Sequence, residues 1–325
     1  MGLLRPDETF RAETLAGGVS SDILRITLPE HAPELSFCFK RALAKLKVAA
    51  DWRAPVERNH AEVEWMRVAD ALVPRSVPRI LGEDEQAGAF AMEYLAPAAH
   101  PVWKNELRDG SISTETAASV ARVIAAIHAG TAKRADIAQR FAYDHIFHPI
   151  RLEPYLLATA ARHPDCAARL RELAAITAHN KLALVHGDLS PKNILVAAHG
   201  PILIDAECAW YGDPAFDLAF CLNHMLLKCL WRPQWREQYL ECYDALASTY
   251  LGRVDWEPRA AIEARVAHLL PGLFLGRVDG KSPAEYLSDE QDKERVRRVA
   301  RSFLLRPTDK LVSIRDAWDT ELREI

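Results

Sequence analysis

The sequence predicts an α+β protein of two unequal lobes: a small β-rich lobe over residues 1–96 and a larger, mainly helical lobe over 97–325. Three observations predict it. Short apolar runs broken by turn residues fill the first 95 or so positions. From about residue 97 the apolar positions recur at helical spacing. A short β island interrupts those helices between residues 182 and 204.

The elements follow in order. Ile23–Leu28 and Leu35–Leu43 read as strands. Residues 55–72 place Val63, Met66, Val68 and Leu72 among charges, which is a helical stripe. Residues 76–81 and 88–95 read as strands, with Gly82 to Gly88 as their turn. Ser113 suits the N-cap of a helix running to about Gly130, with Val120, Val123, Ile124 and Ile127 on one face. Pro164 suits the first turn of a further helix whose stripe is Leu170, Leu173 and Ile176. The β island comprises Leu182–Val185, Ile194–Val196 and Ile202–Ile204, and helices resume at Phe216. No internal repeat or low-complexity tract is present.

Composition bounds the function. The 325 residues are 49% hydrophobic and 26% charged, ordinary for a globular chain. A net charge of −4 without a basic stripe argues against a nucleic-acid partner. The six cysteines form no C-x-x-C pair and most sit in apolar stretches, so reduced core thiols are expected. The longest apolar-rich run, Phe216–Trp231, holds Asp217, Asn223, His224 and Lys228, and is too short and polar to span a bilayer. The first ten residues lack the basic-then-apolar pattern of a leader, so a cytoplasmic protein with no membrane partner is expected. Nothing in the sequence sets an oligomeric state.

The segment that carries chemistry runs from Leu184 to Asp217. It places His186, Asp188, Asn193 and Asp205 at strand ends, where side chains can converge. Phosphoryl transfer needs a carboxylate that orients the attacking hydroxyl and takes its proton, and oxygen ligands for a metal that bridges the phosphates. Asp188 can be that carboxylate. Asn193, five residues on, can return as a neutral metal ligand, and Asp205, after the next strand, as an anionic one.

His186-Gly187-Asp188-Leu189-Ser190-Pro191-Lys192-Asn193, followed by Ile204-Asp205-Ala206-Glu207, resembles the aminoglycoside phosphotransferase and choline kinase superfamily. The resemblance implies a bilobal protein-kinase-like fold, ATP and Mg²⁺ as cofactors, and a small-molecule hydroxyl acceptor. It implies that His186 supports the loop and that Asp217 braces it, with an N-cap as the other reading of Asp217. Ser190 stands where protein kinases of the H-R-D-L-K type carry lysine, which favours a small acceptor over a protein. In the small lobe, Lys40 would meet the phosphates, with Lys45 and Lys47 as competitors. Glu62, or else Glu64, would hold that lysine. Gly17 and Gly18 would form the phosphate loop, although an ordinary turn would look the same. The backbone of Glu93 to Leu95 would be the hinge that recognises adenine. Glu207 would bind either a second metal ion or the acceptor.

The acceptor is less legible. The D-x-E pair of Asp205 and Glu207, the following Ala209-Trp210-Tyr211-Gly212, and the wide spacing from Lys40 to Glu62 resemble the methylthioribose kinase branch. Choline kinases share the D-x-E pair. Trp210, Tyr211, Trp231 and Trp235 could cage a quaternary ammonium but equally suit a core. Acidic residues among 279–292 could form a lip for an aminoglycoside or a solvated face. Arg277 and Asp279 are further candidates for the acceptor pocket. A nucleotide-binding regulatory module without turnover is the alternative from another class.

Overall fold

A computed structural model describes residues 1–5, 7–15, 20–31, 34–44 and 55–323. Among these residues the small lobe is a five-stranded antiparallel sheet in the order β1-β2-β3-β5-β4. The strands are β1 (Arg11–Thr14), β2 (Ser21–Leu28), β3 (Leu35–Ala42), β4 (Ile80–Asp84) and β5 (Ala89–Glu93). The two-residue period puts Ile26, Phe37 and Ala91 together in a buried cluster. It also puts Lys40 between Ile23 of β2 and Phe90 of β5. Helix α1 (Arg58–Leu72) packs its stripe, including Val63, Met66 and Val68, inward.

Two boundaries differ from the sequence reading. The fourth strand starts at Ile80, because residues 76–79 leave the sheet. Pro78 has no N–H for a ladder, and the Ser76 carbonyl instead accepts the Leu203 N–H at 2.7 Å, joining the two lobes. Gly82 lies within β4 at a register shift, so the turn spans 85–88 only.

The large lobe contains α2 (Trp103–Arg108), α3 (Thr114–Thr131), α4 (Ala135–Arg140) and α5 (Asp144–Phe147), then a π-helical stretch, His148–Leu157. It continues with α6 (Ala158–Arg162), α7 (Ala167–His179), α8 (Ala215–Trp231), α9 (Arg236–Gly252), α10 (Arg259–Asp279), α11 (Glu290–Leu305) and α12 (Leu311–Arg323). Ser113 caps α3 by accepting the Thr116 N–H. Pro164 precedes α7 rather than opening it, and Ile176 on that helix is exposed. Helix α8 is buried from Ala215 to Leu230, so it forms the centre of the lobe. All six cysteines are free and buried. Among the described residues no helix is long and apolar enough to cross a membrane.

The β island is two sheets rather than one. Strands β7 (Ile194–Ala197) and β8 (Gly200–Leu203) form a hairpin, while β6 (Ala183–Val185) pairs with β9 (Trp210–Gly212). The loop that follows β6 and the loop that follows β8 meet through His186 and Ile204, and the latter loop reaches the small lobe through Asp205 and Lys40.

Candidate active site

The loop after β6 turns sharply. Gly187 has φ +78°, and a Cβ there would lie 2.4 Å from the Cys208 carbonyl oxygen, so only glycine fits. Asp217, in the first turn of α8, accepts the N–H groups of His186 at 2.7 Å and Gly187 at 2.9 Å. Its Oδ2 also meets His128 Nε2 at 3.2 Å, and His128 Nδ1 meets the Tyr250 hydroxyl at 2.7 Å. The loop is thus fastened to α8, α3 and α9. The N-cap reading of Asp217 does not hold: it lies inside the helix, and Asp213 accepts the Ala215 N–H at 3.0 Å instead. His186 is fully buried. Its Nδ1 accepts the Asp188 N–H at 3.2 Å and its Nε2 meets the Ile204 carbonyl at 3.2 Å, tying this loop to the next one. Burial lowers its pKa, so the ring is neutral and supports rather than titrates.

Asp188 is 4% exposed. Its Oδ2 accepts Asn193 Nδ2 at 2.9 Å and pairs with Arg151 and Lys192, each at 3.0 Å. Burial pushes the carboxyl pKa up, but Arg151 and Lys192 outweigh it, and the net shift is downward. Asp188 is therefore an anion with Oδ1 left over for another donor. Asn193 spends its amide nitrogen on Asp188, including a 3.0 Å bond to the Asp188 carbonyl, which leaves Oδ1 as its outward donor atom.

Asn193 and Asp205 meet at the open end of the β7–β8 hairpin, where the Ile204 N–H donates to the Asn193 carbonyl at 3.0 Å. Asp205 holds φ +65°, a left-handed conformation that costs a non-glycine residue on the order of 1 kcal/mol. In that conformation its Oδ1 lies 2.5 Å from Lys40 Nζ. The same ammonium meets Glu62 Oε2 at 2.7 Å. Burial pushes the Lys40 pKa down, but Asp205 and Glu62 outweigh it and hold the ammonium charged. Glu64 faces away and pairs with Arg67 and Arg140. Gly17, Gly18, Lys45 and Lys47 lie outside the described residues.

Glu207 Oε2 pairs with Arg58 Nε at 3.0 Å. Arg58 is itself buried and donates to the carbonyls of Pro55, Leu43 and Ser20, so it ties the small lobe to the D-x-E segment. Ser190 is buried with its hydroxyl unpartnered. Glu93 ends β5, and its N–H donates to the Arg79 carbonyl at 2.9 Å; Tyr94 and Leu95 follow it out of the sheet.

Of these groups, Arg58, Arg151, Asp188, Lys192, Asp205 and Glu207 border one cavity of about 350 Å³. Asp188, Asp205 and Glu207 line it from the loops after β6 and β8, and His224, Lys228, Arg277 and Tyr286 line it from α8, α10 and the segment after α10. Of the aromatic candidates, Trp210 is core, stacked on Phe147 at 4.0 Å, and Tyr211 is buried with its hydroxyl on the Leu182 carbonyl. Asp279 is bound by His163 and Arg297 and braces α10 against α11, away from the cavity. Asp289 caps α11. Sequence reasoning missed Arg58, Arg151, Lys192 and Lys228 as members of the site. A signal existed for Lys192, four residues after Asp188, and for Lys228, a charge in an apolar helix.

The phosphotransferase enzyme family matches residues 11–251. The chain belongs to that family. Among curated relatives, the methylthioribose kinase of Yersinia enterocolitica is 26% identical over 218 residues, 58% of this chain and 53% of that one. The methylthioribose kinase of Pectobacterium atrosepticum is 23% identical over 253 residues, 70% of this chain and 62% of that one. The chain thus matches between half and two thirds of the length of these relatives. Among solved structures, a choline/ethanolamine kinase family protein of Mesorhizobium loti covers 97% of this chain and 94% of its own, with TM-score 0.54 and 16% identity. An amicoumacin kinase in complex with AMP-PNP and Ca²⁺ covers 94% of this chain and 91% of its own, with TM-score 0.52 and 15% identity. At those identities the likeness is one of fold, the bilobal kinase-like fold.

Proposed function

We propose that the chain transfers the γ-phosphoryl group of ATP to a hydroxyl of a small molecule, with Mg²⁺ as the metal. The observation that carries this reading is the meeting of Asp188 and Asp205 on one cavity, with Asn193 bonded to Asp188 and the Lys40–Glu62 pair bonded to Asp205. Asn193 Oδ1, Asp205 and Glu207 are hard oxygen donors of the kind Mg²⁺ prefers, so the residues fit the ion. Bound there, Mg²⁺ would neutralise charge on the phosphate oxygens.

The chain's own residues supply the rest. Asp188 receives the acceptor hydroxyl on Oδ1 while three donors hold Oδ2 still. The hydroxyl oxygen forms a bond to the γ-phosphorus, the bond from that phosphorus to the β,γ-bridging oxygen breaks, and ADP leaves. The hydroxyl proton passes to Asp188 and then to solvent. An aspartate with a lowered pKa is a weak base, which suits a loose transition state in which orientation matters more than early proton removal. Lys40, fixed by Glu62, aligns the phosphates. The Arg58–Glu207 pair fixes the small lobe over the site. The nucleobase would rest against the Glu93–Leu95 strand end. Cytoplasmic residence is part of the same proposal.

The test is ATP-to-ADP turnover by purified wild type and Asp188→Asn, with Mg²⁺, across amino alcohols, sugars, thiosugars and hydroxy acids. Acceptor-dependent turnover that the substitution abolishes supports the proposal. Tight nucleotide binding with no turnover on any acceptor would favour the regulatory module instead. The methylthioribose kinases among the relatives make a thiosugar a natural member of that panel.

A further inference from the structure

The α8–α10 wall of the cavity holds donor atoms without partners. Lys228 on α8 is 1% exposed, yet no hydrogen bond or ion pair joins its ammonium to any described residue. It lies only over the rings of Trp231, at 4.7 Å, and Tyr286, at 5.3 Å. Arg277 on α10 is 8% exposed. Its Nη1 bonds to the Ser282 carbonyl and hydroxyl and, weakly, to Tyr155, but Nε is buried without a partner and no carboxylate pairs with it among the described residues. The Tyr286 hydroxyl is also buried and unpartnered. His224, one turn before Lys228, lines the same wall. Glu285 is the carboxylate nearest this end, and Lys104 already pairs with it.

Charge in the cavity is therefore lopsided. Asp188 is matched by Arg151 and Lys192, Asp205 by Lys40, Glu207 by Arg58, and Glu285 by Lys104. Among the described residues, Lys228 and Arg277 are the two lining cations left over. A buried cation without a counter-ion is costly unless a ligand supplies one. Burial, with Lys104 and Arg277 nearby, lowers the Lys228 pKa to about 7. A cationic acceptor such as an amino alcohol or aminoglycoside would add a third positive group here and, among the described residues, would find no lining carboxylate that lacks a cation.

We infer that the acceptor is a hydroxy compound bearing an anionic group, a carboxylate or a phosphate ester, that seats between Lys228, Arg277 and the Tyr286 hydroxyl while its own hydroxyl reaches Asp188. The inference rests on the phosphotransferase reading of the Asp188 end and names the acceptor class for it. Lys228 and Arg277 are binding residues for that anion, with bidentate capture available to the guanidinium. Selectivity against neutral twins follows, because without the anion these donors stay unpaired.

Matched compounds test it: glycerate against glycerol, gluconate against glucose, ribose 5-phosphate against ribose, with ethanolamine and kanamycin as cations. Each is measured twice on wild type, Lys228→Met and Arg277→Met, by thermal shift with Mg²⁺ and ATP analogue and by ATP turnover. The expected result is that carboxylate or phosphate members bind and turn over at least tenfold better than their twins. Either substitution should erase that preference while leaving nucleotide binding intact. Lys228→Met should also raise the melting temperature of the unliganded protein, which separates a binding role from a structural one. Turnover confined to neutral or cationic acceptors overturns the inference and leaves the kinase reading standing. Anion binding lost in both variants, without turnover in wild type, keeps the anion site and sinks the kinase reading. No anion binding at millimolar concentration, or binding indifferent to both substitutions, overturns the inference whatever the turnover.

Discussion

The two ends of the cavity handle buried charge in opposite ways. At the Asp188 end every lining carboxylate has a cation within about hydrogen-bonding distance: Lys40 sits between Glu62 and Asp205, and Asp188 receives Arg151, Lys192 and Asn193. At the α8–α10 end Lys228 and Arg277 form no ion pair with a carboxylate among the described residues, and the nearby Glu285 is held by Lys104. Paired charges keep their positions without a ligand, which suits groups that must be in place before reaction. Unpaired donors hold free energy in reserve for whatever arrives with the opposite charge. Substitutions should therefore destabilise one end and stabilise the other.

The largest expected effect is at Asp188. Asp188→Asn keeps the shape and removes the anion, and acceptor-dependent kcat should fall about 10³-fold or more, measured by initial rates at saturating ATP. Circular dichroism should show the fold intact. Lys40→Met comes next. It leaves Glu62 and Asp205 buried without their cation, so chemical denaturation should show a loss of about 3–5 kcal/mol, with kcat down about 10²-fold.

Lys228→Met reverses the sign. Removing an unpaired buried ammonium should stabilise the unliganded protein by about 1–3 kcal/mol at pH 7. The pH dependence follows from a folded pKa of about 7 against an ordinary 10.5. Below pH 7 the folded protein carries the buried cation and its full cost. As pH rises from 7 toward 10.5 the folded state releases that proton more readily than the unfolded one, and the cost is relieved. The gap between variant and wild type should thus shrink as denaturation is repeated at rising pH. Lys104, Glu285, Arg277, His224 and Cys221 face or neighbour the same group, and both proteins share them. A gap that widens with pH would break the comparison. Glu64→Gln is expected to have the smallest effect. Glu64 makes only peripheral pairs with Arg67 and Arg140, so stability should move by less than about 1 kcal/mol and turnover not at all.

The parts of this site that sequence made legible are those built from one short segment. Asp188, Asn193 and Asp205 lie within 184–217, and Lys40 ends the Phe37-Cys38-Phe39-Lys40 run, which resembles a third-strand lysine motif. Glu62 follows from helical period on the next element. Arg58, Arg151 and Lys228 reach the cavity from segments far apart in the chain, and local pattern contains no record of that convergence. The same holds for β9: Trp210–Gly212 is too short to announce a strand, and only its pairing with β6 makes it one. Pro78 explains the shortened β4, and it was visible in the sequence as a residue that cannot join a ladder. The bracing role of Asp217 rests on the N–H groups of His186 and Gly187, at a turn where Gly187 has positive φ and a Cβ would meet the Cys208 carbonyl.

Phosphorus NMR of ATP and Mg²⁺ with the purified protein and the mixed acceptor panel is the most direct measurement. The account predicts a new phosphomonoester signal that grows as the γ-phosphate signal falls, and no such signal with Asp188→Asn. Unchanged ATP, or release of inorganic phosphate alone with every acceptor present, would contradict it.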